Sequence, residues 1–224
     1  MSASRQGAQG PGWTEVTVAA LLSVVLGALV GAAMLALQPV AVVKELPSPK
    51  DRPAGVVYVI EGRRDSSKSA EAVRKRQLFM GGQSISLAEE ELNLLFAAPA
   101  PAPGEKPRAA EVPVGGIFAV GEPNVRIADG LIQVAAPVRL AMPDLGLKFI
   151  VQIRGRMVKK SEGFVFEPTE MYLGSCPLSV IPFVSGMIRS RVGTVDVVPA
   201  ELRANWARLV EASIEGRLLR LRLP

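Results

Sequence analysis

The sequence predicts an α+β fold, with an N-terminal transmembrane helix followed by one domain in which a curved antiparallel sheet is covered by a few helices. Three observations support this prediction. Residues 16–37 carry no charge, residues 116–170 alternate apolar and polar side chains with a period of two, and helix-start signals flank the alternating region. Helices packed on one side of an antiparallel sheet are typical of the α+β class.

The apolar segment 16–37 is long enough to cross a membrane. A bilayer core of about 30 Å needs roughly twenty apolar residues in a helix, and this stretch has twenty-two positions. We therefore predict a retained single-pass signal-anchor. A cleaved signal peptide is one alternative, but its apolar core is usually about 7–15 residues and residues 38–41 are a poor cleavage site. A buried core helix is the other, but too little chain lies around residues 16–37 to cover one.

The charges beside this segment leave its orientation open. One basic residue, Arg5, precedes it, whereas Lys44, Lys50 and Arg52 follow it. Basic residues favour the cytoplasmic side, yet long domains translocate largely regardless of nearby charge. We expect the N-terminus to be cytoplasmic and the bulk of the chain to be extracytoplasmic, which in a two-membrane envelope means periplasmic.

Four segments follow from these patterns. We expect a disordered cytoplasmic tail over 1–15, the transmembrane helix over 16–37, a proline-containing stalk over 38–55, and an exported α+β domain over 56–224. The chain beyond the anchor is long enough for one domain with its own core. Within that domain, residues 99–113 read PAPAPGEKPRAAEVP. Because no helix or central strand tolerates this proline density, we interpret the segment as a long surface loop.

The first half of the domain contains one strand and two helices by its local signals. Residues 56–60, VVYVI, are β-branched and aromatic, which favours a strand. Residues 70–80 form a short basic helix that ends at Gly81-Gly82. Ser86 and Glu89 have the spacing of a capping box, which predicts a helix over 87–97.

The clearest strand signal follows Asp129-Gly130, a pair typical of a tight hairpin turn. Most apolar side chains of residues 147–159 share one face, and most of the polar ones, Gln152 among them, share the other, with Ile150 and Val158 as exceptions. This alternation predicts a long antiparallel strand with one apolar face and one solvent-exposed face.

The C-terminal third predicts two helices and a strand. An apolar segment broken by prolines predicts a helix over about 177–191 that lies on the sheet. Pro199 suits the first turn of a helix over 199–213. Residues 217–223 alternate leucine and arginine, which predicts a final edge strand that a partner's sheet could extend.

The composition argues against an enzyme. The chain has no histidine, the commonest general base and metal ligand. Its single cysteine, Cys176, cannot form an internal disulfide and lies in an apolar context that favours burial. No phosphate loop, dinucleotide fingerprint, metal-ligand spacing or nucleophile elbow is present. The acidic triplet 89–91 falls in a first helical turn, where the helix dipole favours it. We therefore expect no catalytic residue, no metal and no cofactor.

The basic residues are dispersed among carboxylates, so we expect no nucleic-acid partner. Membrane lipids are the better candidate. An apolar groove between the sheet and its helices, next to a membrane anchor, would hold an acyl chain. The candidate groove residues are Phe149, Val151, Ile153, Phe166, Ile181 and Phe183. The alternative is that these residues simply form the core, as inward apolar residues usually do.

Four motifs occur in a recognisable order after the anchor: SLAEEELNLL, VRIADGLIQVAAPVRL, CPLSVIPF and GRLLRLRLP. This order, over about residues 84–223, resembles the YpmS-like membrane-anchored proteins and, more loosely, the tubular lipid-binding (TULIP) and AsmA-like superfamilies. The resemblance implies a sheet wrapped around a helix, often with an apolar groove and a lipid-related role. It carries over no catalytic residue, and the proline-rich insert 99–113 departs from the pattern.

We therefore predict a non-catalytic, membrane-anchored envelope protein whose exported domain binds lipid or another apolar ligand. The alternative is a scaffold or assembly subunit of an envelope complex that binds a protein partner through the C-terminal edge strand and has no ligand.

Overall fold

The computed structural model describes residues 12–53, 56–97, 112–114, 118–140, 147–161, 163–181, 184–192, 194 and 198–224. Over these ranges the fold is mixed α+β, with an N-terminal apolar helix and antiparallel sheets, as predicted. Most of the predicted tail and most of the predicted proline-rich loop lie outside the described residues, and so does Phe183. The predicted curvature of the sheet stays a prediction.

Five α-helices occur in the described ranges: α1 Trp13–Leu37, α2 Ser69–Met80, α3 Glu89–Phe96, α4 Val184–Val192 and α5 Ala200–Ala207. Helix α3 starts later than the capping-box pattern predicts, because Ser86 lies in a strand and the chain enters the helix at Ala88. Glu91, in the first turn, accepts a hydrogen bond from the backbone N–H of Ala88 at 2.7 Å. The acidic residue of the cap is therefore Glu91 rather than Glu89.

The strands of the described ranges are β1 Ala41–Val43, β2 Tyr58–Ile60, β3 Ile85–Ala88, β4 Val112–Val114, β5 Phe118–Val120, β6 Asn124–Ala128, β7 Leu131–Leu140, β8 Lys148–Lys160, β9 Gly163–Leu173, β10 Cys176–Pro177, β11 Glu211–Glu215 and β12 Leu218–Arg222. They form three sheets. The main antiparallel sheet has the order β10-β9-β8-β7-β5-β4, with β6 also paired to β7. The others are a parallel β1-β2 pair and an antiparallel β11-β12-β3 sheet.

The main sheet includes the β-hairpins β6-β7 and β8-β9. The predicted turn at Asp129-Gly130 joins β6 to β7, and both of its residues have positive φ, as a tight hairpin turn requires. Strands β8 and β9 pair over most of their length, with a register shift at Gly155. Pro168 lies at this bulge, where a missing N–H is tolerated, so β9 continues through it.

The core lies between one face of the main sheet and a layer made of α2, α3, α5 and the three-stranded sheet. It includes Ile127 and Phe164 from the main sheet. Trp206 of α5 donates from Nε1 to the Phe164 carbonyl oxygen at 2.7 Å, and its ring meets Phe79 edge to face with centroids 6.5 Å apart. The layer is thus joined to the sheet by both apolar packing and a partly buried hydrogen bond.

The opposite face of the main sheet is less exposed than the alternating pattern predicts. Gln152, predicted to face solvent, is only 1% exposed. On the same face, Gln133 donates from Nε2 to the carbonyl oxygen of Ile60 at 3.0 Å, so β2 covers part of this face. The segment predicted as an extended stalk therefore includes a strand, β1, that pairs with β2 and packs on the domain.

The C-terminal segment differs from its prediction in two ways. Helix α5 ends at Ala207, and residues 211–215 form β11 instead of continuing the predicted helix. The apolar spacing of Leu202, Trp206 and Leu209 suggested a longer helix, but the chain turns at Gly216, which has positive φ, into a hairpin. Strand β12 was predicted to be an edge strand, but it pairs with β11 on one side and β3 on the other.

Candidate functional site

The C-terminal end of α1 meets the turn between β9 and β10. Ser175 donates its backbone N–H to the carbonyl oxygen of Leu35 at 3.2 Å. Gly174 has φ +57°, and a Cβ atom built there would lie 2.2 Å from the carbonyl oxygen of Ala36. Only glycine meets both requirements. The apolar helix therefore joins the domain directly, at one end of the main sheet.

Cys176 lies beside this junction. It is fully buried and pairs with Leu173 as part of β10. Burial raises the pKa of its thiol above the ordinary value, because the thiolate would lose its hydration. This agrees with the expectation that the cysteine acts as a small buried apolar residue.

Four of the six predicted groove residues lie on one face of the main sheet. Antiparallel partners point to the same face, and the register places Phe149 opposite Val138, Val151 opposite Leu173, and Ile153 opposite Met171; the face continues through Met157 to Phe166. Phe149, Val151 and Ile153 are half-buried, and the main core cluster, as far as the described residues define it, does not include them.

The other predicted groove residues behave differently. Phe166 packs against the core, which is the alternative that the sequence left open for all six. Ile181 is half-buried and follows a short 3-10 turn, Leu178–Val180, beside β9. The structure thus separates the predicted set into a core residue and a row of three half-buried side chains, Phe149, Val151 and Ile153, which we call the apolar row.

The apolar row begins at the end of the sheet that meets α1. Gly174, which touches Ala36, directly follows Leu173, the partner of Val151, and it donates its N–H to the carbonyl oxygen of Ile150 at 2.8 Å. The packed core occupies the other end of the same face. Apolar side chains are therefore only partly covered where the domain joins the apolar helix.

Two adjoining clefts lie elsewhere on the domain, and none of the predicted groove residues lines either one. Their volumes are about 610 and 490 Å³, and both are lined by Glu45, Arg126 and Arg217. The larger cleft, which we call the polar cleft, is otherwise lined mainly by charged side chains of the segments 44–45 and 61–65. Sequence reasoning missed it, because its charges are far apart along the chain.

Buried side chains of α3 hold the segment 61–65 in place. Glu89 is 2% exposed and accepts hydrogen bonds from the backbone N–H groups of Arg63, at 2.7 Å, and Ile127, at 3.0 Å. The sequence pattern predicted only a favourable interaction of this carboxylate with the helix dipole. In the structure, the carboxylate joins the loop to the outer edge of β6.

Asn93 makes the second set of bonds from α3. Its side chain is fully buried; it accepts from the N–H of Val125 at 2.6 Å and donates to the carbonyl oxygens of Val125, at 2.7 Å, and Arg63, at 3.0 Å. The amide uses both of its N–H donors and one of the two lone pairs of its oxygen. Asn93 thus occupies the place that a neighbouring strand would take along β6.

Gly62 allows this close approach. A Cβ atom at this position would lie 1.8 Å from the carbonyl oxygen of Val125 and 2.7 Å from the amide nitrogen of Asn93. Asn124 closes the arrangement, since its side chain accepts from the N–H of Gly62 at 2.6 Å. The loop that lines the polar cleft is therefore rigidly attached to the sheet.

A buried ion pair supports α3 from the other side. Lys75 of α2 lies 2.6 Å from Glu91, whose side chain is 2% exposed, and 3.3 Å from the more exposed Glu71. The Ala88 N–H satisfies the second oxygen of Glu91. This carboxylate is fully used in structure, which is why we assign it no chemical role.

The described part of the chain contains no group of three or more histidine, cysteine, aspartate or glutamate side chains that could hold a metal ion. No protein-family model matches the sequence, and neither the curated proteins nor the solved structures contain a match to it. The resemblance to YpmS-like and tubular lipid-binding proteins therefore stays a prediction.

Proposed function

We propose that this chain is a single-pass membrane protein whose extracytoplasmic domain binds membrane lipid, through its acyl chains, along the apolar row, and that it acts without catalysis. The observation that carries the proposal is the position of the row. Phe149, Val151 and Ile153 are half-buried at the end of the sheet that meets the last turn of α1.

The properties of α1 support the anchor. The helix has 25 residues, and so spans about 37 Å at 1.5 Å per residue, which exceeds a bilayer core of about 30 Å. Its apolar window has a mean hydropathy of 2.5, and none of that window is buried against the domain. Trp13, at the N-terminal end, is 88% exposed, as an aromatic side chain at a membrane interface would be. One such helix near an N-terminus could also be a signal sequence.

The apolar row supports a lipid ligand because its side chains are not fully covered by protein. Covering a half-exposed valine or isoleucine side chain with an acyl chain contributes about 1 kcal/mol. Since the row lies next to the bilayer in this arrangement, a lipid chain would reach it without crossing open water. The proposal also places the N-terminus in the cytoplasm.

Native mass spectrometry of the full chain in a delipidating detergent tests the proposal. We expect phospholipid adducts on the wild-type protein and their loss in Val151→Glu, because a carboxylate in the row would have to be desolvated by an acyl chain. Val210→Glu is the matched control. Val210 is 41% exposed in the three-stranded-sheet layer, so this variant should keep its adducts.

A scaffold without a ligand predicts a different result, namely equal adducts on the wild-type protein and on both variants, or none on any of them. Either outcome would overturn the proposed lipid site. A scaffold could not use the C-terminal strand to extend a partner's sheet, because β12 is the central strand of its own sheet.

A further inference from the structure

We propose that the polar cleft is a binding site for a soluble oxyanion ligand, a phosphate or carboxylate group, and that Arg126 is its main recognition residue. This site is separate from the apolar row and does not depend on the proposed lipid function. Its volume of about 610 Å³ falls within the range of small-molecule sites, roughly 300–1,000 Å³.

The state of the Arg126 side chain carries the proposal. Its Nε atom is buried and has no hydrogen-bond partner, and no ion pair joins its guanidinium to another described residue. Because the guanidinium also lines the cleft, a ligand there would reach its terminal nitrogens rather than the buried Nε. An anion in the cleft would compensate the charge by accepting hydrogen bonds from the terminal nitrogens, which guanidinium groups offer in a fork that matches oxyanions.

The charges that line the polar cleft favour an anion. Two of its charged side chains are paired with residues outside the lining: Arg64 pairs with Glu122 at 3.0 Å, and Glu90 lies 3.8 Å from Lys68. The lining residues that have no ion pair among the described residues are the basic Lys44, Arg63, Arg126 and Arg217 and the acidic Glu45, Glu61 and Asp65. The cleft thus has an excess of one positive charge.

The cleft is also preorganised. Arg126 lies in β6, opposite Gln133 of β7, so its backbone is fixed by strand pairing. The loop that carries Arg63 is held by Glu89 and Asn93, both of which are buried. A site with little to reorganise loses less free energy when it binds a ligand.

Calorimetric titration of the full chain in phosphatidylcholine nanodiscs with inorganic phosphate, at fixed ionic strength, tests this inference. We expect phosphate to bind the wild-type protein, and Arg126→Gln to weaken binding at least tenfold. Arg217→Gln is a second variant at an exposed turn, where folding is not at risk, and should weaken binding as well. The matched control is Arg156→Gln, whose exposed side chain lies outside the cleft and which should bind like the wild type.

Absence of phosphate binding, or equal affinity in the wild type and both cleft variants, would overturn the site. Titration with acetate separates a carboxylate preference from a phosphate preference. A second titration in nanodiscs that contain phosphatidylglycerol distinguishes a soluble ligand from a lipid headgroup. Unchanged phosphate affinity supports a soluble oxyanion. Weaker phosphate binding, caused by competition from the anionic lipid, would overturn the proposal of a soluble ligand and assign the site to a lipid headgroup.

Discussion

Two side chains of α3 satisfy the free backbone edge of β6. Glu89 accepts from Ile127, and Asn93 both accepts from and donates to Val125, so the N–H and C=O groups that a further strand would pair are bonded to side chains instead. An unpaired buried backbone group costs about 1–3 kcal/mol. The acidic and amide residues in EEELN are thus structural, and they hold the wall of the polar cleft.

Replacing Asn93 with alanine should lower the free energy of unfolding by about 3 kcal/mol, because it leaves the N–H and C=O of Val125 buried without partners. Denaturant unfolding of the full chain in detergent, followed by circular dichroism, measures the change. Glu90→Gln is the control in the same helix, since Glu90 makes only a long contact with Lys68 at 3.8 Å. Equal stability of Asn93→Ala and Glu90→Gln would contradict the role of Asn93.

At the scale of elements, polar contacts near both ends of α5 join it to α2. Arg76 lies 2.6 Å from Glu201, and Asn205 donates to the carbonyl oxygen of Phe79 at 2.7 Å. A hydrogen bond from its own backbone N–H and one from Arg76 lower the pKa of Glu201 below its ordinary value. Both contacts favour the ionised carboxylate at the first turn of α5.

The lowered pKa of Glu201 predicts the sign of a pH effect. A carboxylate whose pKa is lower in the folded state stabilises the protein above its unfolded pKa of about 4.3, and this contribution is lost as pH falls through the folded pKa. Glu201→Gln should therefore lower Tm at pH 7 and leave it unchanged at pH 2, by thermal scans of both proteins. A Tm difference of equal size at both pH values would contradict this account. The effect is small because the pair is exposed.

Elements with strong local signals were predictable from the sequence, and elements set by tertiary contacts were not. Strand β8, the turn at Asp129-Gly130 and helix α2 follow from periodicity and turn residues. The contact of β2 with Gln133 joins residues 73 apart in the chain, and the central place of β12 depends on β3. No local pattern contains that information.

The same reasoning explains what could be predicted of the candidate sites. Phe149, Val151 and Ile153 were identifiable because alternation within one strand places them on one face. The polar cleft was not, because Lys44, Arg63, Arg126 and Arg217 come from four separate segments. The position of Arg63 beside Arg126 depends on Gly62 and Asn93, whose roles appear only once the loop and β6 are seen together.

At the scale of the whole molecule, the domain is organised along the strands of its main sheet. The end that includes Gly174 meets the apolar helix α1, and the apolar row begins there. The packed core and the polar cleft lie farther along the sheet. Val151 and Arg156 are five residues apart on β8, or about 17 Å at 3.4 Å per residue. A bilayer at α1 would therefore contact one end of the sheet and leave the other in water.

Lipid photo-cross-linking of the full chain in phosphatidylcholine vesicles tests this arrangement most directly. A benzophenone amino acid at position 151 should form phospholipid adducts, whereas the same group at Glu167, which pairs with Arg156 at the far end of the sheet, should form none. Adducts at 151 alone, detected by mass spectrometry, are the result that the account predicts. Equal adducts at both positions, or none at 151, would contradict it.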